Sequence, residues 1–286
     1  MSRTLQSLIA MLLAGLWGGG IYVLHAQGRL RPLDRVESAI TDFRTALRGV
    51  RAPPDIITIV EIDDAAVKQL GSYPLARSDL ARIIDAIGRL KPKVVAVDIL
   101  LLDPSSAEGD EALARSLGAY PCVIAAAAIF AEFSQPISGQ SRQKPLAGLP
   151  QAERFLWPLE KFADRAAVGI VNMTTDQSGT PRRVPMLFRT HDLIAMSFPL
   201  RVASLAVGRE PTVTPDRLLL GELSIPTDAE QSLPITFYGP RGTIRTVSTG
   251  EILAGAINPA AIENKVVVIG AAVAGGGDFF PTPFES

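Results

Sequence analysis

One cysteine and two histidines are all that these 286 residues offer to thiol or imidazole chemistry. The lone Cys122 excludes an intrachain disulfide and a multi-cysteine zinc site, and its place at the start of an apolar run suits a buried, inert thiol. With only His25 and His191, a histidine-based catalytic or zinc site has almost no raw material. An excess of positive charge is missing too: 28 Lys and Arg stand against 29 Asp and Glu, so nothing marks the chain as a holder of nucleic acid. There is no G-x-S-x-G elbow, no H-E-x-x-H and no P-loop lysine motif. The glycine loop Gly270 to Gly277 follows a strand, but it lacks the G-x-G-x-x-G spacing and runs into FFPTP, which disfavours a nucleotide fingerprint. No repeat and no low-complexity tract is present. A binding domain without catalytic residues, metal or cofactor is the expectation that survives these absences.

What is present is ordinary globular material, 47% hydrophobic and 20% charged, enough for one large domain or two small ones. Asp55 to Leu102 reads as a complete βαβ unit. Ile56, Ile57, Ile59, Val60 and Ile62 form a β-branched run suited to a strand covered on both faces. Leu80, Ile83, Ile84, Ile87 and Leu90 recur as one helical stripe, with Ser78 or Asp79 as cap and Pro92 as stop. Val94 to Leu100 supplies a second buried strand, parallel to the first and adjacent to it.

Beyond this unit the alternation continues. Asp110 to Leu117 reads as a short acidic helix and Val123 to Ile129 as a third parallel strand. Phe133 to Pro158 is proline- and glycine-rich loop. Val168 to Met173 and Val184 to Arg189 flank turn residues and predict a hairpin. Met196 to Val207 is helical, and Leu218 to Leu220 with Leu223 to Ile225 form a tight hairpin around Gly221. Ile235 to Tyr238 reads as a strand, Thr249 to Ala256 as a helix and Val266 to Ile269 as a last buried strand. The fold class is α/β, a mostly parallel sheet with flanking helices and antiparallel hairpin additions, preceded by one transmembrane helix.

That helix is read from Leu8 to Ala26, about 19 residues without an acid, lysine or arginine, near the length that crosses ~30 Å of hydrocarbon. A cleaved signal peptide is the rival, but Leu24 and Ala26 make a poor cleavage site. The domains are thus residues 1–27 as an N-terminal anchor and 28–286 as the main body. Arg3 stands on one side of the anchor, with Arg29, Arg31 and Arg35 on the other, so a bare basic-residue count would leave the body in the cytoplasm. Long domains, however, are translocated largely regardless of such charges.

Glu61, Asp63 and Asp98 fall at or near the carboxyl ends of two strands, the edge where open α/β sheets place ligands. They can hold a divalent cation or accept ligand hydrogen bonds. Equally, Asp63 or Asp64 can cap the next helix, and Asp98 can take backbone donors or Arg77. Arg182 and Arg183 can form a fork for a carboxylate or phosphate, but one exposed charge and one ion pair with a nearby acid is the favoured reading. Glu61, Asp63, Arg77, Asp98, Arg182 and Arg183 are the candidate ligand-binding residues.

Eight segments in order resemble the CHASE domain, type two, a sensory domain of bacterial receptors. ITDFRTALRG (Ile40 to Gly49) resembles its entry helix, IVEIDD (Ile59 to Asp64) its first strand, and GSYPLAR (Gly71 to Arg77) its turn, with Tyr73 where tryptophan is usual. VVAVDILL (Val94 to Leu101) and GDEALARSL (Gly109 to Leu117) resemble the second strand and acidic helix. GIVNMTTDQSGTPRRVP (Gly169 to Pro185), FPLRVASLA (Phe198 to Ala206) and KVVVIGAAVAGGGDFFPTP (Lys265 to Pro283) resemble its hairpin, next helix and closing strand. The resemblance implies an extracytoplasmic domain at the bacterial inner membrane. It also implies further membrane helices and an adenylate or guanylate cyclase, a kinase or a diguanylate cyclase beyond Ser286, which makes this chain a truncated product or a fragment. The implied partners are the membrane, an unidentified small ligand or protein, and a second copy in a homodimer. A metal-dependent α/β hydrolase or phosphatase using Glu61, Asp63 and Asp98 is the runner-up, and a purely structural dimerisation module is the third reading.

Overall fold

The computed structural model describes residues 3–26, 31–131, 146, 148–176, 178–228, 230–273 and 279–285. Two helices lead the chain, α1 (Arg3–Ala26) and α2 (Arg31–Arg48). Strand β1 (Ile57–Ile62) follows, then α3 (Asp64–Leu70), α4 (Arg77–Gly88), β2 (Val94–Leu100), α5 (Ala107–Ala119) and β3 (Cys122–Ile129). Next come β4 (Arg154–Leu156), α6 (Glu160–Ala163), β5 (Ala167–Ile170), β6 (Thr174–Thr175), β7 (Pro181–Pro185), β8 (Leu187–Arg189) and β9 (Ile194–Met196). After α7 (Phe198–Val207) run β10 (Thr212–Val213), β11 (Arg217–Leu220), β12 (Leu223–Pro226), β13 (Ser232–Pro234) and β14 (Thr246–Ser248). Helix α8 (Thr249–Ala254), a 3-10 turn and β15 (Val266–Ala271) complete the order.

The main sheet runs β14-β1-β15-β2-β3, with β5 parallel and β4 antiparallel on β3. Alternating side chains divide the core between its faces. Val60, Ile62, Val95, Val97, Val267 and Ile269 face the layer of α4, α5 and α8, where Ile83, Ile84, Ile87, Leu113 and Leu117 are wholly buried. Each such side chain stabilises the fold by about 1.5–3 kcal/mol. Val94, Ala96, Val123 and Ala125 face α7 through Phe198 and Val202. The α/β class with a mostly parallel sheet is thus borne out.

One topological expectation is corrected. β1 and β2 are not adjacent, because β15 pairs in parallel with both and lies between them. A parallel crossover can skip a strand position, and a distant segment of matching apolar character can fill the gap. Smaller corrections concern boundaries. Helix α4 begins at Arg77 with Ala76 as an N-cap lacking a side-chain bond, so Ser78 and Asp79 lie inside its first turn, where Asp79 pairs with Arg82 at 3.0 Å. β7 pairs with β6 and β13, and β8 forms its own hairpin with β9, so one expected strand is two. Ile235 to Tyr238 is not a strand. Of the expected loop 133–158, residues 133–145 and 147 lie outside the described residues, and its end carries β4.

The N-terminal segment forms the expected helix. α1 is 24 residues long, with Met11, Leu12, Leu13, Leu16 and Trp17 exposed. Among the described residues no helix is long and apolar enough to cross a membrane. The side chains of Leu8, Ile21 and Val23–Ala26 lie outside the described set.

Candidate functional site

Of the three carboxylates at the strand ends, Glu61 and Asp63 take different partners. Asp63 is the N-cap of α3, accepting from the Ala66 N–H at 2.7 Å, which supplies one of the helix's orphan donors with an acceptor. Glu61 is ion-paired with Arg241, and its backbone carbonyl accepts from the Thr249 hydroxyl at 2.8 Å. Asp98 is exposed on β2, and two strand spacings of about 4.8 Å separate it from β1. Among the described residues no group of three or more His, Cys, Asp or Glu side chains is disposed to hold a metal ion.

Arg77 goes elsewhere. Its guanidinium lies 3.9 Å from Asp110 Oδ1 on α5, donates to the Asp103 carbonyl at 3.4 Å and sits over the Phe162 ring. Burial pushes its pKa down, with Asp110 opposing that shift. Asp110 is almost fully buried; it accepts from the Ser105 N–H at 3.1 Å and lies 3.8 Å from Lys161 Nζ. The cluster ties α4, α5 and α6 together.

Arg182 and Arg183 lie together at a groove. Alternate positions on β7 send Arg182 to α2 and Arg183 to the β13 side. The Arg182 guanidinium forks onto both oxygens of Asp42 on α2, one bond measuring 2.7 Å, while its Nε donates to Asp176 at 2.9 Å. Asp42, then burial in opposition, then Asp176 act on its pKa, and the net direction is upward. Asp176 is opposed by burial yet held down to about 2 by the Ser178 hydroxyl, Arg182 and the backbone N–H groups of Ser178 and Thr180. Arg183 pairs with Asp228 at 2.6 Å. Both arginines are thus ion-paired, where one exposed charge and one ion pair were expected.

The groove holds about 440 Å³ between α2 and residues 234–237. Ser38, Thr41, Thr45 and Arg48 of α2 line one wall, with Arg51, Arg182 and Arg183 on the other sides. Arg51 is held by the Phe237 carbonyl at 3.2 Å and by the Tyr238 ring. Four arginines and four hydroxyl residues, Thr236 among them, line this one volume, and side chains of these types suit a small carboxylate or phosphate. Only Arg182 and Arg183 were reachable by sequence reasoning. Ser38, Thr41, Asp42, Thr45, Arg48 and Arg51 lie on a segment some 140 residues earlier, and no local spacing links the two. A second cavity of about 500 Å³ between α5 and α6 is lined by Glu111, Arg115, Lys161, Asp164 and Arg165, whose mixed charges select no ligand sign.

The fold and groove together define an open α/β domain with an arginine-rich cleft beside its leading helix. The chain belongs to the CHASE2 domain family, which it matches over residues 14–285, nearly its whole length; this is a family of sensory domains of signalling receptors. No curated protein and no solved structure matches it.

Proposed function

We propose that this chain is the extracytoplasmic sensory domain of a bacterial transmembrane receptor, recognising a small anion in the α2 groove and passing the event along α2 to α1. The observation that carries this reading is the Arg182 fork on Asp42. A ligand carboxylate or phosphate entering beside Arg48, Arg51 and Arg183 competes with Asp42 for Arg182 and so loosens α2 from the β7 hairpin. Such a ligand shifts the receptor only as far as it prefers the loosened state over the paired one. The apolar flank of α1 supports attachment to the membrane, and membership of a sensory family supports the signalling role. An adenylate or guanylate cyclase, outside these residues, is the output that the family likeness favours. Nothing in the placement of Glu61, Asp63 and Asp98 favours the hydrolase alternative.

Thermal unfolding of the full chain in detergent, with succinate, citrate and inorganic phosphate as probes, tests the groove. At least one of these anions should raise Tm in a dose-dependent way, and Arg48→Gln or Arg51→Gln should abolish that rise. Stabilisation by neutral or cationic probes alone would overturn the anion reading. Protease added to intact spheroplasts should digest the body of the chain; its survival would place it on the other side of the membrane.

A further inference from the structure

Helix α2 has a second face that the groove does not use. Ser38, Thr41 and Thr45 line the groove and Asp42 holds Arg182, which sets the rotation of the helix. The opposite flank presents Val36, Ile40, Phe43 and Leu47, exposed by 59%, 53%, 64% and 70%. Their spacing alternates four, three and four, the seven-residue repeat of a coiled-coil seam, and the sequence continues it back to Leu33. A helix in water seldom leaves such a stripe unpaired.

We propose that a second copy of this chain docks on this flank, α2 against α2, as a parallel two-stranded coiled coil. A seam of this kind complements itself about a two-fold axis. The four residues expose roughly 500 Å² per copy, so a pair buries at most about 1,000 Å², near the lower bound for a specific interface. Ala39 and Ala46, flanking the seam, allow the close approach of two helices. The parallel direction rests on the anchored-receptor reading, because two α1 helices attached to one membrane run the same way. The seam itself does not depend on that reading.

Cysteine cross-linking in the full chain tests the proposal, since the native Cys122 is buried and gives no background. Val36→Cys and Phe43→Cys should each give a disulfide-linked dimer under copper phenanthroline, at least tenfold more than Thr45→Cys on the groove side. Equal linkage at Thr45→Cys, or none at Phe43→Cys, overturns the seam; linkage at Phe43→Cys without Val36→Cys overturns the parallel direction. By sedimentation in detergent the wild-type chain should be a dimer, and Phe43→Asp should weaken it at least tenfold. A wild-type monomer or trimer, or an unchanged Phe43→Asp dimer, also overturns it. Loss of the dimer with anion stabilisation intact strikes the seam alone, whereas loss of anion stabilisation with the dimer intact strikes the groove.

Discussion

Arg182 on β7 and Asp42 on α2 stand 140 residues apart in sequence and share a two-pronged ion pair. Both groups are partly shielded, so the pair lies between exposed bridges and buried ones in strength. Arg182→Gln should lower stability by about 1–2 kcal/mol and speed hydrogen exchange across α2 by about tenfold. Asp42→Asn should do the same, with the double variant adding little more than either single change. Unaltered exchange in α2 would show that this pair does not hold the helix.

The same hairpin sets an acid limit. Asp176 has a folded pKa of about 2, below its ordinary value of 3.8. A depressed carboxylate contributes stability above its unfolded pKa and loses it as pH falls toward the folded one. Urea unfolding should therefore show a stability decline between about pH 4 and pH 2 that Asp176→Asn reduces. An identical decline in the variant would remove Asp176 as its source.

Asp110 is almost fully buried between the cations of Arg77 and Lys161. Its removal leaves Arg77 shielded without its carboxylate and the Ser105 N–H without its acceptor. Asp110→Ala should cost about 3 kcal/mol, read as a shift in the urea midpoint at constant m-value. A loss below about 1 kcal/mol would mean that the cluster behaves as a surface ion pair.

Gly169 on β5 lies against α7 so closely that an added Cβ would stand 2.5 Å from Phe198 Cα and 2.9 Å from its backbone nitrogen. Backbone cannot rotate aside as a side chain does, so Gly169→Ala should cost about 3 kcal/mol or prevent folding. Gly270→Ala, where an added Cβ meets nothing within 4 Å, should leave Tm nearly unchanged. Equal behaviour of the two variants would contradict the close packing of β5 on α7.

Cys122 is buried in β3, and burial, with a smaller contribution from Asp85, pushes its thiol up to about 12. The native protein should be inert to maleimide at pH 8 and react only in denaturant. Fast native labelling would mean that the helical layer covering β3 opens.

The strands and helices of the parallel core were legible because local pattern suffices there. Ile83, Ile84 and Ile87 announce a helix face, and the Val94–Val97 run announces a strand buried on both sides. Gly221, at φ +60, was equally readable as a hairpin turn. Sheet order was not. Val266–Ala271 is apolar enough for any central position, and only packing selects the one between β1 and β2.

The candidate residues divide along the same line. Asp63 acts within its own turn, as the acceptor for Ala66 three residues on, so the sequence by itself determined that a cap lies at Asp63 or Asp64. Arg77 and Arg182 were recognisable as cations needing acids, since a shielded charge requires a partner. Which acid answers was decided only in the tertiary structure: Asp110 for Arg77, and Asp42 with Asp176 for Arg182. Caps, stripes and turns depend on neighbours a few bonds away, whereas ion pairs and cleft walls depend on where the folded sheet carries segments that no local rule connects.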